Sequence, residues 1–480
     1  MVTAPQYVEA LSRIHPRWFH RGASPTPYSQ SGAQPVRTIH QRALSGPAPS
    51  GSRRRNRFLA AAAVTSLVLG VTSACGGSDD PTESADQESL GEGESLTITT
   101  FGEFGYDELI EEWNAANPDI QVEQTKISQW DDWKAEMNTN LQANTGMPDI
   151  AAIEGDFMPA LLAAPDRWVD LSSDDLDGRW LEFKVDGATT ADGELLGYAT
   201  DSGPEAICYR ADLLKKAGLP SDREEVAAAI GTWDDYYAMG EEFVKKMPGT
   251  AWYDASGSIA QAMLNQVEFP FQTEDNTVDV ENPELEAVYK TVTDNVDTLS
   301  TKASQWSDDW SAGFAKAGFA TMPCPGWMRS VIKDNTGDPA PKGAVWDVAD
   351  VFPGGGGNWG GSYLSVPKSS SHQEEAMEVA AWLTAPEQQL KIFQNYGNFP
   401  SANEALEDSG LLASTDEYFN DAPVGEIFSS RASAVEVQPY KGPLYSDILQ
   451  KFQDAINRVD QGTDPQKSWD TFLSDVQALQ

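Results

Sequence analysis

An α/β fold built as two lobes is what this sequence predicts, and three observations carry that reading. From Leu96 onward, short runs with strand character alternate with amphipathic helical runs, the pattern of βαβ units and a largely parallel sheet. At 480 residues the chain is longer than a single hydrophobic core usually serves. Two Gly/Pro stretches, Asp201-Ser202-Gly203-Pro204 and Pro353 to Ser362, interrupt the pattern where the chain would cross from one lobe to the other and return.

The first 74 residues stand apart. Residues 1–50 are rich in Pro, Ser, Arg and Gln, show no period, and precede a targeting segment, so the expected start lies near Val36 or Leu44. Arg53-Arg54-Arg55-Asn56-Arg57 then leads into an apolar run, Phe58 to Thr72, that ends in Ser73-Ala74-Cys75-Gly76-Gly77. A basic n-region, an apolar stretch and small residues before a cut define a secretory signal, and the run is too short and Ala-rich for a membrane span. Cys at the cut resembles a bacterial lipoprotein signal, which implies that Cys75 becomes the lipidated N-terminus; Thr72 stands where Leu is commonest. Gly76 to Ser95 is polar and acidic without an aromatic, so residues 75–95 are expected to be a disordered tether reaching about 25 Å.

The remaining elements follow in order. Leu96 to Phe101 alternates as a strand, Gly102 to Gly105 is a loop, and Tyr106 to Ala116 a helix stopped by Asn117-Pro118. Strands at 120–123 and 149–153 flank a helix from Trp130 to Asn144, and Asp192-Gly193 marks a hairpin turn. Beyond the first crossing comes a strand through Cys208 and a helix terminated at Gly218. Helices are expected at 233–247, 283–297 and 306–316, then a strand from Phe319 to Met322 halted by Pro323, Pro325 and Gly326 so that Trp327 stands just past its end. Tyr363 to Val366 is a returning strand, Glu374 to Leu383 a helix, and helices near 444–459 and 465–478 close the chain.

Composition removes several functions. Of 33 basic and 74 acidic side chains, nine Arg and one acid (Glu9) lie in residues 1–74, leaving 24 and 73 for the rest, a formal charge of −49. Such a surface repels nucleic acid. After Cys75 only Cys208 and Cys324 remain; both fall in expected strands, and they either pair in an oxidising compartment or stay as two free core thiols. His372 is the one histidine after Cys75, in a polar run, which argues against a His-based triad or zinc site. Ser173 to Lys184 lacks the closing Glu of a calcium loop, and the glycines at 354–357 lack the Lys-Ser/Thr of a phosphate loop. No catalytic residue, metal or cofactor is therefore expected.

Ile207 to Leu219, Ala320 to Trp327 and Ala381-Trp382-Leu383-Thr384-Ala385-Pro386-Glu387, with Asn358-Trp359-Gly360-Gly361-Ser362 and Asn398-Phe399-Pro400-Ser401, resemble the substrate-binding lipoproteins of carbohydrate ABC importers. This is the family that includes maltose-binding protein, and the detail is most similar to actinobacterial binding proteins for cellobiose and cello-oligosaccharides. The resemblance spans most of residues 95–480. It implies a two-lobed periplasmic-binding-protein-like fold with hinge strands and an interlobe ligand cleft. Residues 96–203 and 360–402 would form the first lobe, 204–359 and 403–480 the second. It also implies an oligosaccharide ligand, permease subunits as partners, a membrane anchor through Cys75 on the outer face of the cell membrane, a monomer, and no nucleic acid.

Sugars present apolar C–H faces and rims of hydroxyls, so a site needs flat rings and carboxylates or amides. Trp327 and Trp359 are the leading stacking candidates, followed by Phe104 and Tyr106 after the first strand. Trp306 and Trp310, four apart, would share a helical face and either line the cleft or pack the helix. Glu154, Asp156 and Asp201 at strand ends would accept hydroxyl protons, and Asn358 would both donate and accept. Core packing and solvated loop acids are the plain alternatives for these residues. At the level of function, the alternatives are a glycoside hydrolase with paired carboxylates and a binder of a cationic ligand such as a polyamine.

Overall fold

The computed structural model describes residues 90, 91 and 93–480; Cys75, the targeting segment and most of the tether lie outside the described residues. Strands β1 (Ser95–Phe101), β2 (Gln121–Ile127), β3 (Ile150–Glu154), β4 (Tyr198–Ala199), β5 (Glu205–Arg210), β6 (Ala251–Tyr253), β7 (Phe319–Pro325), β8 (Trp346–Ala349) and β9 (Ser362–Ser365) form two sheets. Their orders are β2-β1-β3-β9-β4 and β6-β7-β5-β8, one sheet per lobe.

Local chemistry explains where elements begin and end. Leu96 and Ile98 alternate inward along β1, and helix Asp107–Ala116 opens on Asp107 and Glu108, acids that suit the positive end of a helix. It buries Leu109, Ile110 and Trp113. Asn282 caps helix Pro283–Leu299 by accepting from the Leu285 N–H, and Leu285, Val288, Tyr289, Val292, Val296 and Leu299 form its buried stripe. Gly218, at φ +68°, ends helix Ala211–Ala217 by donating to the carbonyls of Leu214 and Lys215. Helices Tyr445–Asp460 and Pro465–Gln477 pack into the core of the second lobe.

Three chain segments meet between the sheets. The Trp359 N–H donates to Gly203 O (2.8 Å) and Glu205 N–H to Gly357 O (2.9 Å), pairing the outgoing pass with the returning one. A third segment joins them: Ser202 N–H donates to Phe399 O (2.8 Å) and Ser202 Oγ to Pro400 O (3.1 Å). Gly203 has no room for a side chain, because a Cβ there would lie 1.8 Å from Trp359 O.

Several expectations are corrected. Only β1 pairs in parallel with its neighbours in the first sheet; β9 runs antiparallel to β3 and β4, and in the second sheet only β6 and β7 are parallel. β5 and β9 enter straight from the crossing segments instead of through a crossover helix, and so run opposite to the strands beside them. β7 passes through both prolines to Pro325. β6 stops opposite Thr321, so beyond that point one edge of β7 has no strand partner. Prolines two residues apart remove donors from one edge only. The helix expected from Trp306 begins at Asp308, and Trp306 lies outside it with φ +69°. The tether ends earlier than Ser95: that residue is already in β1, and Leu90 packs against the first lobe's core. Cys208 and Cys324 are disulfide-bonded, with Cα atoms 5.4 Å apart. The register sets Cys208 opposite Met322 and Cys324 opposite Ala206, so the cysteines are diagonal neighbours on one face of β5 and β7.

Candidate ligand cleft between the lobes

The loop after β3 and the end of β7 both meet the returning crossing segment, Gly155 N–H donating to Gly361 O (3.0 Å) and Trp327 Nε1–H to Trp359 O (3.1 Å), the place where open α/β sheets hold ligands. Gly360 shows how close they come. A Cβ there would lie 3.6 Å from Trp327 Nε1 and 4.0 Å from Glu154 Oε1, residues from different sheets.

The second lobe contributes an aromatic wall. Trp327 donates Nε1–H to Trp359 O (3.1 Å), which fixes its plane, and meets the Trp359 ring edge-on with centroids 5.6 Å apart. Trp306 lies nearly parallel to Trp327, at 24° and 6.2 Å. All three rings keep part of their surface open. On the first lobe Phe104, Phe101, Trp130 and Phe157 form a continuous row with successive centroids 5.1, 4.9 and 5.5 Å apart.

The polar groups carry charges of both signs. Glu154 Oε2 accepts the Asp156 N–H (2.7 Å), and Asp156 is ion-paired to Lys441 of the second lobe at 2.5 Å. Burial, and then the Asp156 charge, push the Glu154 carboxyl well above the usual range, against the pull of Lys441 and Lys184. Asp201 accepts from Thr200 Oγ1 (2.6 Å) and the Ser362 N–H (2.9 Å), and burial raises it although Lys184 opposes. Lys184 is buried with its ammonium 3.8 Å from the Tyr363 ring centre; burial lowers its pKa to about 8. Glu205, fully buried at the start of β5, accepts from Asn265 Nδ2 (2.8 Å) through Oε2, while Oε1 has no partner; burial pushes it up to about 8.

Unpartnered polar atoms gather here. Tyr106 Oη, Tyr445 Oη, Glu205 Oε1 and Asn398 Oδ1 are buried without a hydrogen bond. Each such atom costs about 1–3 kcal/mol unless something else satisfies it. Asp201 raises the Tyr106 hydroxyl, Asp156 and Glu154 raise that of Tyr445, and burial is the larger cause for both. Tyr106 and Asn398 therefore sit beside Asp201, and Tyr445 beside Asp156 and Glu154.

The structure sorts the sequence candidates. It brings together Trp327, Trp359, Trp306, Glu154 and Asp201. Trp310 is buried inside the second lobe and donates Nε1–H to Asp254 (2.8 Å), so it is a core residue that backs Trp306. Phe104 is buried with its ring edge-on to Phe101, a support for the row and not a free face. The Tyr106 ring is buried too, so what it offers is a hydroxyl. Asn358 uses both ends of its amide within the chain, accepting from Gly203 N–H (2.9 Å) and donating to Gly360 O (3.1 Å), so it clamps the crossing segments. Asp156 is engaged by Lys441.

Lys184, Glu205, Lys441 and Tyr445 escape a reading of the sequence alone. Glu205 leaves a trace, an acid directly after Gly-Pro that opens onto the apolar run Ala206 to Tyr209, and Lys441 is bracketed by Tyr440 and Gly442-Pro443. Lys184, in the short helix Glu182–Asp186, leaves none. Two open cavities of about 570 and 550 Å³ lie elsewhere, around Asp254 and around Arg329, and neither includes the three indoles.

Among proteins of known role, an arabinooligosaccharide-binding protein of Bacillus subtilis (strain 168) is 25% identical over 394 residues, 78% of this chain and 88% of the relative. A lactose-binding protein of Rhizobium radiobacter is 27% identical over 292 residues, 56% of this chain and 65% of that protein. A crystal structure described as extracellular solute-binding protein family 1 superposes with TM-score 0.72 at 44% identity, covering 80% of this chain and 99% of the other. An ABC transporter associated binding protein from B. animalis subsp. lactis Bl-04, in complex with β-1,6-galactobiose, shares the fold with TM-score 0.69 at 20% identity, over 80% and 96% of the two chains. Residues 108–421 match the family described as bacterial extracellular solute-binding protein, well over half of the sequence, and this chain belongs to that family.

Proposed function

We propose that this protein is the lipid-anchored, oligosaccharide-capturing component of an ABC importer, with cellobiose and cello-oligosaccharides the favoured ligands. The observation that carries the reading is the convergence, on one interlobe crevice, of three partly open indoles with buried carboxylates and with buried hydroxyl and amide atoms that lack partners. An oligosaccharide answers both at once, laying C–H faces on rings and offering hydroxyls that donate and accept. Relatives named for arabinooligosaccharide and lactose binding support a sugar. The cello-preference rests on the motif resemblance alone.

In this reading the lobes are 96–203 with 360–402, and 204–359 with 403–480. They close on the ligand because contacts from both walls exist together only in the closed form. The closed monomer then docks on the permease. Cys75 carries the lipid, so the protein works on the outer face of the cell membrane.

The site disfavours the two rival readings. Lys184 and Lys441 already sit among the carboxylates that a polyamine would need. Glu154 closes β3 and Asp156 follows two residues later with its N–H on the Glu154 carboxyl, whereas a glycosidase sets its carboxyls on either side of the scissile bond.

A thermal-shift screen of the mature protein against cellobiose, maltose, lactose, xylobiose, arabinobiose, monosaccharides and spermidine tests this, since a ligand raises Tm by mass action. A β-linked glucose disaccharide should give the largest shift. Shifts with spermidine alone, lost at moderate salt, would replace the sugar by a cation; release of nitrophenol from a nitrophenyl glycoside would make the protein an enzyme.

A further inference from the structure

Trp306 is one of two large hydrophobic side chains exposed among the described residues, at 44%, the other being Leu412. A lone exposed apolar residue is ordinary. This one is also held at φ +69°, a backbone conformation costly for a bulky residue and one that marks functional positions.

Its surroundings fix it firmly. The loop is braced by Ser307 N–H to Ser304 O (3.1 Å) and by the Ser307 hydroxyl, which caps the next helix. Below, the indole leans on Trp310 at 5.0 Å, itself anchored to Asp254. To one side it runs nearly parallel to Trp327. The adjacent Gln305 keeps a buried Nε2 with no acceptor. Covering Trp310 needs neither an indole left this open nor a strained backbone. A rigid ring beside an unanswered donor, offset from the neighbouring stacking ring, has the form of a platform waiting for one more sugar.

We propose that Trp306 is an outer subsite of the cleft, stacking the third or a later sugar ring of a chain whose inner rings lie at Trp327, so that the protein reads oligosaccharide length. Gln305 would donate to a hydroxyl of that same ring. The inference rests on the saccharide reading of the cleft.

Calorimetry on the mature chain, with cello-, malto- and arabino-oligosaccharides of two, three and four units, tests it in the wild type, Trp306→Ala and Trp306→Tyr. For the series that binds, Trp306→Ala should weaken tri- and tetrasaccharides about tenfold while leaving the disaccharide within about twofold, and Trp306→Tyr should restore most of the loss. An equal loss at every length, or none at any, overturns the subsite while leaving saccharide binding standing. Failure of the wild type to bind any member of the three series overturns the saccharide reading itself, and the subsite with it.

Discussion

In the proposed reading single side chains decide recognition, and Trp327 is the one on which most converges. Its ring plane is set by the bond to Trp359 O, so its open face is preorganised at no rotamer cost on binding. Trp327→Ala should weaken sugar binding several-fold to a hundredfold, since ring contacts contribute about 1–3 kcal/mol, and leave a cooperative melt. Unchanged affinity with a normal melting curve would remove Trp327 from the site. Glu205 makes a separate prediction. Between about pH 4.5, its ordinary value, and about 8, the folded chain holds a proton there that the unfolded chain has released. This carboxyl therefore makes stability fall as pH rises through that window, by at most about 1.4 kcal/mol per unit, and the fall levels off above it. Glu205→Gln should raise Tm more at pH 8 than at pH 5. An equal change at both would place the charged form in the folded state.

At the scale of elements, the crossing segments matter more than the sheets they join. Gly203, Asn358, Trp359 and Phe399 bind three passes of chain into one narrow bundle, and the bundle tolerates no Cβ at Gly203. Gly203→Ala should destabilise the fold by about 3 kcal/mol or more, because the clash is with backbone, which cannot rotate away. Denaturant unfolding monitored by Trp fluorescence measures this, and a loss below about 1 kcal/mol would mean that the segments part easily. The same segments explain the mixed polarity of both sheets, since β5 and β9 leave them directly.

For the molecule as a whole, the lobes touch across the cleft through two oppositely directed pairs. Lys441 of the second lobe meets Asp156 of the first, and Lys134 of the first meets Ser446 and Asp447 of the second at 2.9 Å each. The first pair is the more buried, and Asp156 and Glu154 hold the Lys441 ammonium above its ordinary pKa although burial opposes them. Both pairs must break for the lobes to part, so they are expected to favour the closed form of the ligand-free protein. Lys441→Met should shift that population open, raising the ligand-free radius of gyration in X-ray scattering while the liganded value stays put. Identical scattering from the two ligand-free proteins would show that the pair forms without influencing closure.

Much of this was legible in advance, for a physical reason that also marks the limit. The α/β class, the helices, the crossings at Gly203 and Gly357, and the indoles at 327 and 359 are written in periodicity and punctuation, because burial and turn chemistry act locally. The sequence by itself determined those features and the family resemblance. Tertiary structure alone decided that Cys208 reaches Cys324, that β7 runs through its prolines, and that Trp310 is core while Trp306 is exposed. It also decided that Lys184 and Lys441, separated by hundreds of residues, share one polar enclosure with Glu154 and Asp156. Desolvation and charge pairing depend on what distant segments bring near, and no local pattern records that.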